Sequence, residues 1–270
     1  LVQTFDDLLL PETPLRAATL AGENWLLASY GCTYGISPMG ELNEVCDAGR
    51  ISGQYSLDSR DDGSYIALNY DLLGSYPATS PMVGDTPDWQ IPATADAVFD
   101  YDFYAARVGA SDSTIVVGTR RYVPDGTQVG YLARYTAAGN LAGDTTFSNV
   151  QYLSTIAVGS DGTVAVASGY PAYRVMALAN DSNEAWGLDV TSNSDVLLGV
   201  DSVGSVVMGY VDAVSGTSVL RKWTSDGQTE LWNIEVAATN YATRLAIAPD
   251  DSIWLTTATN NGFAAAKVSP

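Results

Sequence analysis

The chain contains no histidine among its 270 residues. This absence excludes Ser-His-Asp and Cys-His catalysis, the histidine-containing zinc proteases, and haem or iron bound through histidine. The two cysteines are too few for a four-ligand zinc site or for the disulfide framework of a small secreted domain. No uncharged apolar run reaches about 18 residues, so we expect no membrane span.

Positive charge is also scarce, with 12 Lys and Arg residues against 31 Asp and Glu residues and a net charge of −19. Nucleic acids and anionic membranes select basic surfaces, so we expect neither as a partner. The hydrophobic fraction of 46% is enough to bury a large core. The chain opens at Leu1 without an initiator Met, and we expect it to be processed or cut from a longer protein.

Short runs rich in Val, Ile, Leu, Tyr and Thr alternate with clusters of Gly, Asp, Ser and Asn, which predicts strands and tight turns. One strand–turn–strand phrase recurs six times at spacings of 40 to 50 residues. Its copies are GENWLLAS (22–29), DDGSYIAL (61–68), SDSTIVVG (111–118), SDGTVAVA (160–167), SVGSVVMG (202–209) and PDDSIWLT (249–256). This period is typical of propeller blades.

The fold class that we predict is all-β: residues 1–270 form a single six-bladed β-propeller of four-stranded antiparallel blades. The predicted blades cover about residues 15–52, 53–96, 97–150, 151–193, 194–240 and 241–270. A second phrase follows the first in most copies and carries a large apolar residue, namely Val45, Trp89, Phe147, Trp186 or Trp232. The last copy breaks off after residues 263–270. We therefore expect residues 1–10, with Phe5 at the large apolar position, to form the outer strand of the last blade and close the ring.

Two segments carry a resemblance to a known group. TSDGQTELWNIEV (224–236) and IAVGSDGTVAVAS (156–168) resemble the repeats of secreted bacterial β-propellers of the PQQ and NHL types. The resemblance covers most of the chain at the level of the repeat and implies architecture. Quinone-binding propellers have eight blades and a metal-bound cofactor site, so we do not expect quinone binding in this chain.

Cys32 and Cys46 flank the predicted hairpin that turns near Met39–Gly40. They are nearly equidistant from the turn and should face each other across two strands, where a disulfide would stabilise the fold by about 3 kcal/mol. A disulfide would place the protein outside the cytosol, at the cell surface, in the extracellular space or in the periplasm. A redox-active or metal-binding pair is the alternative.

Asp58, Asp61 and Asp62 precede Gly63 and supply the oxygen ligands that calcium prefers. The same residues also suit a turn for conformational reasons alone. We expect no cofactor other than calcium at this place.

In a propeller, the turns after the first and third strands of each blade lie on one face, and the crossovers and second-to-third-strand loops lie on the other. The first face collects short acidic turns. The second face collects the longest predicted loops, 92–104, 118–131 and 210–218, together with Arg and Tyr residues that are typical of binding surfaces. The candidate binding residues are Arg50, Tyr101, Arg120, Arg121, Tyr122, Tyr170 and Tyr241.

These observations favour a non-catalytic, secreted or surface-exposed propeller. We expect it to serve as a protein- or glycan-binding or structural module and to assemble with other chains. The alternative is a carboxylate- or calcium-dependent hydrolase that acts on a sugar or lactone at the central channel.

Overall fold

The structure is a computed structural model that describes most of the chain. The described residues are 17–21, 24–29, 32–37, 42–46, 56–69, 72–77, 86–93, 98–169, 173–178, 184–236, 241–259 and 262–268. Within these ranges, no helix has the length and apolar character needed to cross a membrane. Apart from one 3₁₀ turn, Ala110–Asp112, the regular elements of these ranges are strands.

Five antiparallel sheets contain four strands each, and in each sheet the strands pair in chain order. Blade 1 contains β1 (Ala17–Ala21), β2 (Asn24–Ser29), β3 (Cys32–Ile36) and β4 (Leu42–Cys46). Blade 2 contains β5 (Ser56–Ser59), β6 (Tyr65–Asn69), β7 (Leu72–Tyr76) and β8 (Trp89–Pro92). Blade 3 contains β9 (Phe99–Val108), β10 (Thr114–Tyr122), β11 (Gln128–Tyr135) and β12 (Leu141–Phe147). Blade 4 contains β13 (Leu153–Val158), β14 (Val164–Ser168), β15 (Tyr173–Leu178) and β16 (Glu184–Val190). Blade 5 contains β17 (Leu197–Val200), β18 (Val206–Val211), β19 (Ser218–Trp223) and β20 (Glu230–Val236).

The C-terminal sheet contains three strands, β21 (Tyr241–Ile247), β22 (Ile253–Thr259) and β23 (Gly262–Val268). The all-β propeller is confirmed, but the prediction of six four-stranded blades is wrong, because the described residues complete five such blades. The repeated phrase covers one hairpin, so a sixth copy does not require a sixth complete sheet. The predicted closing strand at residues 1–10 lies outside the described residues.

The first strands of successive sheets contact one another in chain order: β1 with β5, β5 with β9, β9 with β13, β13 with β17 and β17 with β21. Apolar clusters fill the spaces between neighbouring sheets. One cluster joins blades 2 and 3, a second joins blades 3 and 4, a third joins blades 4 and 5, and a fourth joins blade 5 to the C-terminal sheet. Strands such as β14 and β18 are buried on both faces because each faces two neighbours.

The turn after the first strand has the same construction in several sheets. In blade 4, the Gly159 amide donates to the Thr163 carbonyl at 2.8 Å, and the Gly162 amide donates to the Gly159 carbonyl at 3.0 Å. Gly162 has a φ of 87°, which a residue with a side chain rarely adopts. The Asp161 carboxylate accepts the Thr163 amide at 2.9 Å. The Asp-Gly pairs of the sequence therefore have a conformational role here.

Tryptophans on outer strands pack on the next blade. The Trp89 indole of blade 2 donates to the Ala137 carbonyl of blade 3 at 2.8 Å, and its ring lies against Gly139. The Trp186 indole of blade 4 makes the same bond to Ser225 of blade 5 at 2.8 Å, and its ring lies against Gly227. These contacts lie at the turns after third strands, where glycine leaves room for the ring.

Two buried cations also bind neighbouring segments. The Arg60 guanidinium, which is 7% exposed, donates to the Ser75 hydroxyl at 2.8 Å and to the Asp112 carbonyl of blade 3 at 3.2 Å. Its burial lowers the pKa of Arg60. In blade 5, Lys222 Nζ lies 2.8 Å from Asp201 Oδ2, and both side chains are nearly inaccessible to solvent.

Candidate functional site

The central hairpin of blade 3 has a longer second strand than those of the neighbouring blades. Strand β10 has nine residues, whereas β6 of blade 2 and β14 of blade 4 have five each. Because Tyr65 and Thr114 both follow the first turn of their blades, β10 continues for four residues, 119–122, beyond the position at which β6 ends. Four residues of extended chain add about 13 Å to the length of a strand.

Arg120 lies on the side of this hairpin that faces blade 2 and is surrounded by aromatic rings. Its guanidinium carbon is 4.6 Å from the centroid of the Phe99 ring and 6.0 Å from that of Tyr131. Its Nη1 atom is 3.8 Å from Asp144 Oδ2. Cation–π contacts of this kind contribute about 1 kcal/mol when partly exposed. A quarter of the Arg120 side chain remains exposed. Arg120 therefore serves mainly as a packing partner of the rings, and its charge is already partly paired with Asp144.

Tyr101 belongs to the same cluster. Its backbone pairs with that of Arg120, and its ring centroid is 5.1 Å from that of Tyr131 at an interplanar angle of 57°. Burial raises the pKa of Tyr131 far above its ordinary value and raises the pKa of Tyr135 to about 12. Both phenols therefore stay neutral at physiological pH and act as packing groups with a polar hydroxyl.

The outer end of the hairpin is the exposed part of the cluster. Tyr122 is 39% exposed, and its ring centroid is 5.7 Å from that of Phe99 at a tilt of 51°. Val98 and Val123 beside it are 43% and 48% exposed, and the Val123 amide donates to the Val98 carbonyl at 2.9 Å. Arg121 forms an exposed ion pair with Asp100. We call these six residues the blade-3 platform: Val98, Phe99, Asp100, Arg121, Tyr122 and Val123.

The turn at the tip of the hairpin is closed by several hydrogen bonds. The Tyr122 amide donates to the Thr127 carbonyl at 2.8 Å, and the Gly126 amide donates to the Tyr122 carbonyl at 2.8 Å. The Asp125 carboxylate accepts the Thr127 amide at 2.8 Å, and this bond lowers the pKa of Asp125. The expectation of an irregular loop over 118–131 is therefore wrong, because these residues form two paired strands and a tight turn.

The candidate binding residues fall into two groups. The structure places Tyr101, Arg120 and Tyr122 on one face of the blade 3 sheet. Arg121 lies on the opposite face, where it pairs with Asp100. Arg50 and Tyr170 lie outside the described residues, and Tyr241 is described only as backbone in β21. Sequence reasoning missed Phe99, Tyr131 and Asp144, which complete the cluster. The signal for Phe99 was the alternation of aromatic residues in β9, which becomes informative once the pairing of β9 with β10 is known.

The three candidate calcium ligands have other partners or lie apart. Asp58 Oδ2 accepts the Val108 amide of blade 3 at 2.8 Å. Asp62 Oδ1 accepts the Ser64 amide at 2.8 Å, and the hydroxyl and amide of Ser64 lower the pKa of Asp62. Asp61 is exposed in the turn. Within the described ranges, no group of three or more His, Cys, Asp or Glu side chains could hold a metal ion. Calcium binding stays a sequence-based prediction.

Cys32 and Cys46 lie directly opposite each other in the register of β3 and β4. Opposite residues of antiparallel strands have Cα atoms about 4.5 to 5.5 Å apart, within the range that disulfides span. The side chains of both cysteines lie outside the described part of the structure, so the disulfide itself stays a prediction.

No family model and no curated protein matches the chain. Solved structures do match it. Virginiamycin B lyase from Staphylococcus aureus, in a catalytically inactive histidine-to-alanine variant with quinupristin, aligns with a TM-score of 0.64 and 11% identity over 96% of this chain and 85% of the lyase. A putative gluconolactonase aligns with a TM-score of 0.58 and 13% identity over 94% of this chain and 88% of that one. A luciferin-regenerating enzyme aligns with a TM-score of 0.56 and 10% identity over 96% of this chain and 92% of the enzyme.

The chain is a β-propeller. At identities of 10 to 13%, these likenesses show the fold alone. They confirm the propeller that the repeats predicted, and they leave the function to be argued from the residues of this propeller.

Proposed function

We propose that this propeller is a non-catalytic binding module whose partner docks on the blade-3 platform. The observation that carries the proposal is the exposure of Tyr122, Val98 and Val123 at the end of a hairpin whose second strand is four residues longer than those of both neighbouring blades. Exposed residues on a rigid scaffold are suited to binding, and Tyr and Arg are the residue types that most often anchor interfaces.

The chemistry of the described residues supports binding over catalysis. The similar virginiamycin B lyase is described as inactive when one histidine is replaced by alanine, and this chain has no histidine. The ionised groups of the cluster are paired with each other, as Arg121 is with Asp100, and its buried phenols stay neutral. These groups of the blade 3 cluster do not form the pair of a proton donor and a proton acceptor that a general acid–base mechanism needs.

The location and assembly of the protein belong to the same proposal. An acidic surface and a Cys32–Cys46 disulfide would suit a secreted or surface-exposed module that joins a larger assembly. A hydrolase acting on a sugar or lactone at the central channel is the alternative, and the likeness to a putative gluconolactonase agrees with it at the level of the fold.

The test compares Arg121→Ala/Tyr122→Ala with the unchanged protein on printed panels of polysaccharides and of acidic, neutral and basic peptides. Arg120 is left in place because it packs between Phe99 and Tyr131, and its loss would disturb the fold. The matched control is Asp61→Lys, an exposed position on the first face.

We expect ligands of the unchanged protein to lose at least about tenfold in affinity in the double variant and to keep their affinity in the control. Ligands that bind both variants equally would place the function elsewhere. Steady release of a hydrolysed sugar or lactone product by the unchanged protein would favour the alternative.

A further inference from the structure

We infer that Asp251 is an acid-sensitive latch, which holds the C-terminal sheet against blade 5 and lets it loosen when the carboxylate is protonated. The inference rests on the place of Asp251 in the first turn of its sheet, on its hydrogen bonds to Ser202 of blade 5, and on the charges around it. It concerns how two neighbouring sheets are held together and does not depend on the proposed binding function.

Asp251 occupies a turn position that other blades give to glycine. The first turns of four sheets share the same two backbone hydrogen bonds, at residues 60–64, 159–163, 201–205 and 248–252. The fourth residue of the turn is Gly63, Gly162 or Gly204 in blades 2, 4 and 5, always at positive φ. In the C-terminal sheet it is Asp251, with a φ of 60°. Glycine adopts this conformation without strain, so the chain keeps a costlier residue here, whose side chain makes contacts that glycine cannot make.

Those contacts join the two sheets. Asp251 Oδ1 accepts the Ser202 amide at 2.9 Å, and Asp251 Oδ2 accepts the Ser202 hydroxyl at 2.5 Å. A side chain at this turn position faces the preceding blade, since a Cβ atom at Gly204 would meet the Asp161 carboxylate of blade 4. Hydrogen bonds to an ionised carboxylate are stronger than bonds between neutral groups. The bond between the C-terminal sheet and blade 5 therefore depends on the charge of Asp251.

The charges that act on Asp251 come from its own turn and from the elements beside it. Asp250, the preceding residue, opposes the ionisation of Asp251, whereas Lys222 of β19 favours it. Lys222 Nζ is itself 2.8 Å from Asp201 Oδ2 in the facing turn. Lys267 Nζ of β23 is 4.0 Å from Asp250 Oδ2. Each neighbouring cation thus has a carboxylate of its own, and the hydrogen bonds to Ser202 remain the specific contact of Asp251.

Protonation removes this contact in acid. The hydroxyl of Ser202, followed by its amide, holds the pKa of Asp251 below its usual range. Both bonds exist only in the folded state, so their contribution is present above about pH 4 and is lost as the pH falls through the folded pKa. Leu245 and Ile247 still pack on the apolar cluster shared with blade 5. We therefore expect the C-terminal sheet to open locally while the rest of the propeller stays folded.

The experiment is hydrogen–deuterium exchange of the full chain at about pH 5 and about pH 3, on either side of the titration, corrected for the intrinsic exchange rate at each pH. The readout is the protection of the amides in 241–268 relative to those of 153–168 in blade 4.

The variants remove the latch in three ways. Asp251→Asn abolishes the titration, Ser202→Ala removes the hydroxyl donor, and Asp251→Gly removes the carboxylate together with the backbone strain. Asp250→Asn is the matched control, because the Asp250 carboxylate accepts the amide and the hydroxyl of Ser252 within its own turn.

In the unchanged protein, acid should lower the relative protection of 241–268 by at least about threefold. Asp251→Asn and Asp251→Gly should show the lowered protection already at about pH 5 and should change little in acid. Ser202→Ala should lie between them and the unchanged protein. Asp250→Asn should respond to acid as the unchanged protein does.

An acid response of the same size in Asp251→Asn and in the unchanged protein overturns the inference. Full protection of 241–268 in Asp251→Gly at about pH 5 also overturns it, because the carboxylate would then contribute nothing beyond strain. An effect of Asp250→Asn equal to that of Asp251→Asn would attribute the response to the charge of the turn as a whole and would likewise refute a latch at Asp251.

Discussion

Alanine substitutions at four turn glycines test how tightly the tryptophan rings pack on the turns of the next blade. Gly139 has a φ of 78°, and a Cβ atom there would lie 2.7 Å from the Trp89 ring. Gly227 has a φ of 66°, and its Cβ would lie 2.4 Å from the Trp186 ring. Gly126 and Gly216 have φ values of 75° and 69°, and no atom lies within 4 Å of the position that a Cβ would take there. Alanine at any of the four positions would therefore strain the backbone, but only alanine at Gly139 or Gly227 would also collide with a tryptophan ring.

The expected magnitudes follow from that difference. An alanine at positive φ costs about 1 to 2 kcal/mol in the free energy of unfolding, and all four variants share this cost. Forcing a methyl group into a packed ring adds about 1 to 3 kcal/mol. We therefore expect Gly139→Ala and Gly227→Ala to destabilise the protein by about 2 to 5 kcal/mol, against about 1 to 2 kcal/mol for Gly126→Ala and Gly216→Ala.

The assay is equilibrium unfolding in urea followed by tryptophan fluorescence and by circular dichroism. A change of the midpoint at constant slope reports stability. Gly139→Ala is also measured in the Trp89→Ala background, where the ring is absent and the added cost of the alanine should fall to that of Gly126→Ala. Equal costs at Gly139 and Gly126, or a cost at Gly139 that persists without Trp89, would refute the reasoning.

The remaining predictions concern charges and cysteines. Lys222→Met should cost about 3 to 5 kcal/mol in urea unfolding, because it leaves the Asp201 carboxylate buried without its cation; a second change, Asp201→Asn, should recover part of the loss, and additive costs would contradict this account. The pKa of Asp62 is lowered from 3.8 by hydrogen bonds that exist only in the folded state, so its contribution is present above about pH 4 and is lost as the pH falls through the folded pKa. Melting temperatures of Asp62→Asn should consequently fall less between about pH 5 and pH 3 than those of the unchanged protein, and parallel curves would speak against the assignment. If Cys32 and Cys46 are bonded as their register suggests, reduction should add two hydrogens to the intact mass and lower stability by about 3 kcal/mol, whereas ready thiol labelling of the native protein would exclude the bond.

The register of the outer strands shows where sequence comparison failed. The repeats aligned Phe147 with Trp89, Trp186 and Trp232. In the structure, Trp186 lies opposite Ala177 and Trp232 lies opposite Lys222, whereas the residue opposite Arg134 at the same place in blade 3 is Gly143. Phe147 lies four residues further along β12 and is buried between blades 3 and 4. The same bulge precedes each of these positions, so the offset of Phe147 comes from aligning the copies on one large apolar residue rather than on the strand register.

The sequence by itself determined the all-β class and the position of the first turns. Alternating apolar residues bounded by Asp-Gly or Asp-Ser pairs, as at Asp161-Gly162, allow little besides a hairpin, because the turn needs a residue at positive φ. The absence of histidine, which is a property of composition alone, also limits the chemistry that the chain can carry out.

The tertiary structure alone decided how many blades are complete and which residues form the candidate site. A strand contributes its residues alternately to two neighbouring blades, so the partners of Arg120 depend on how β9, β10 and β11 are paired. Phe99, Tyr131 and Asp144 lie 21, 11 and 24 residues from Arg120 in the sequence. They meet it because the sheet places them on one face, and local patterns carry no information about such distant pairing.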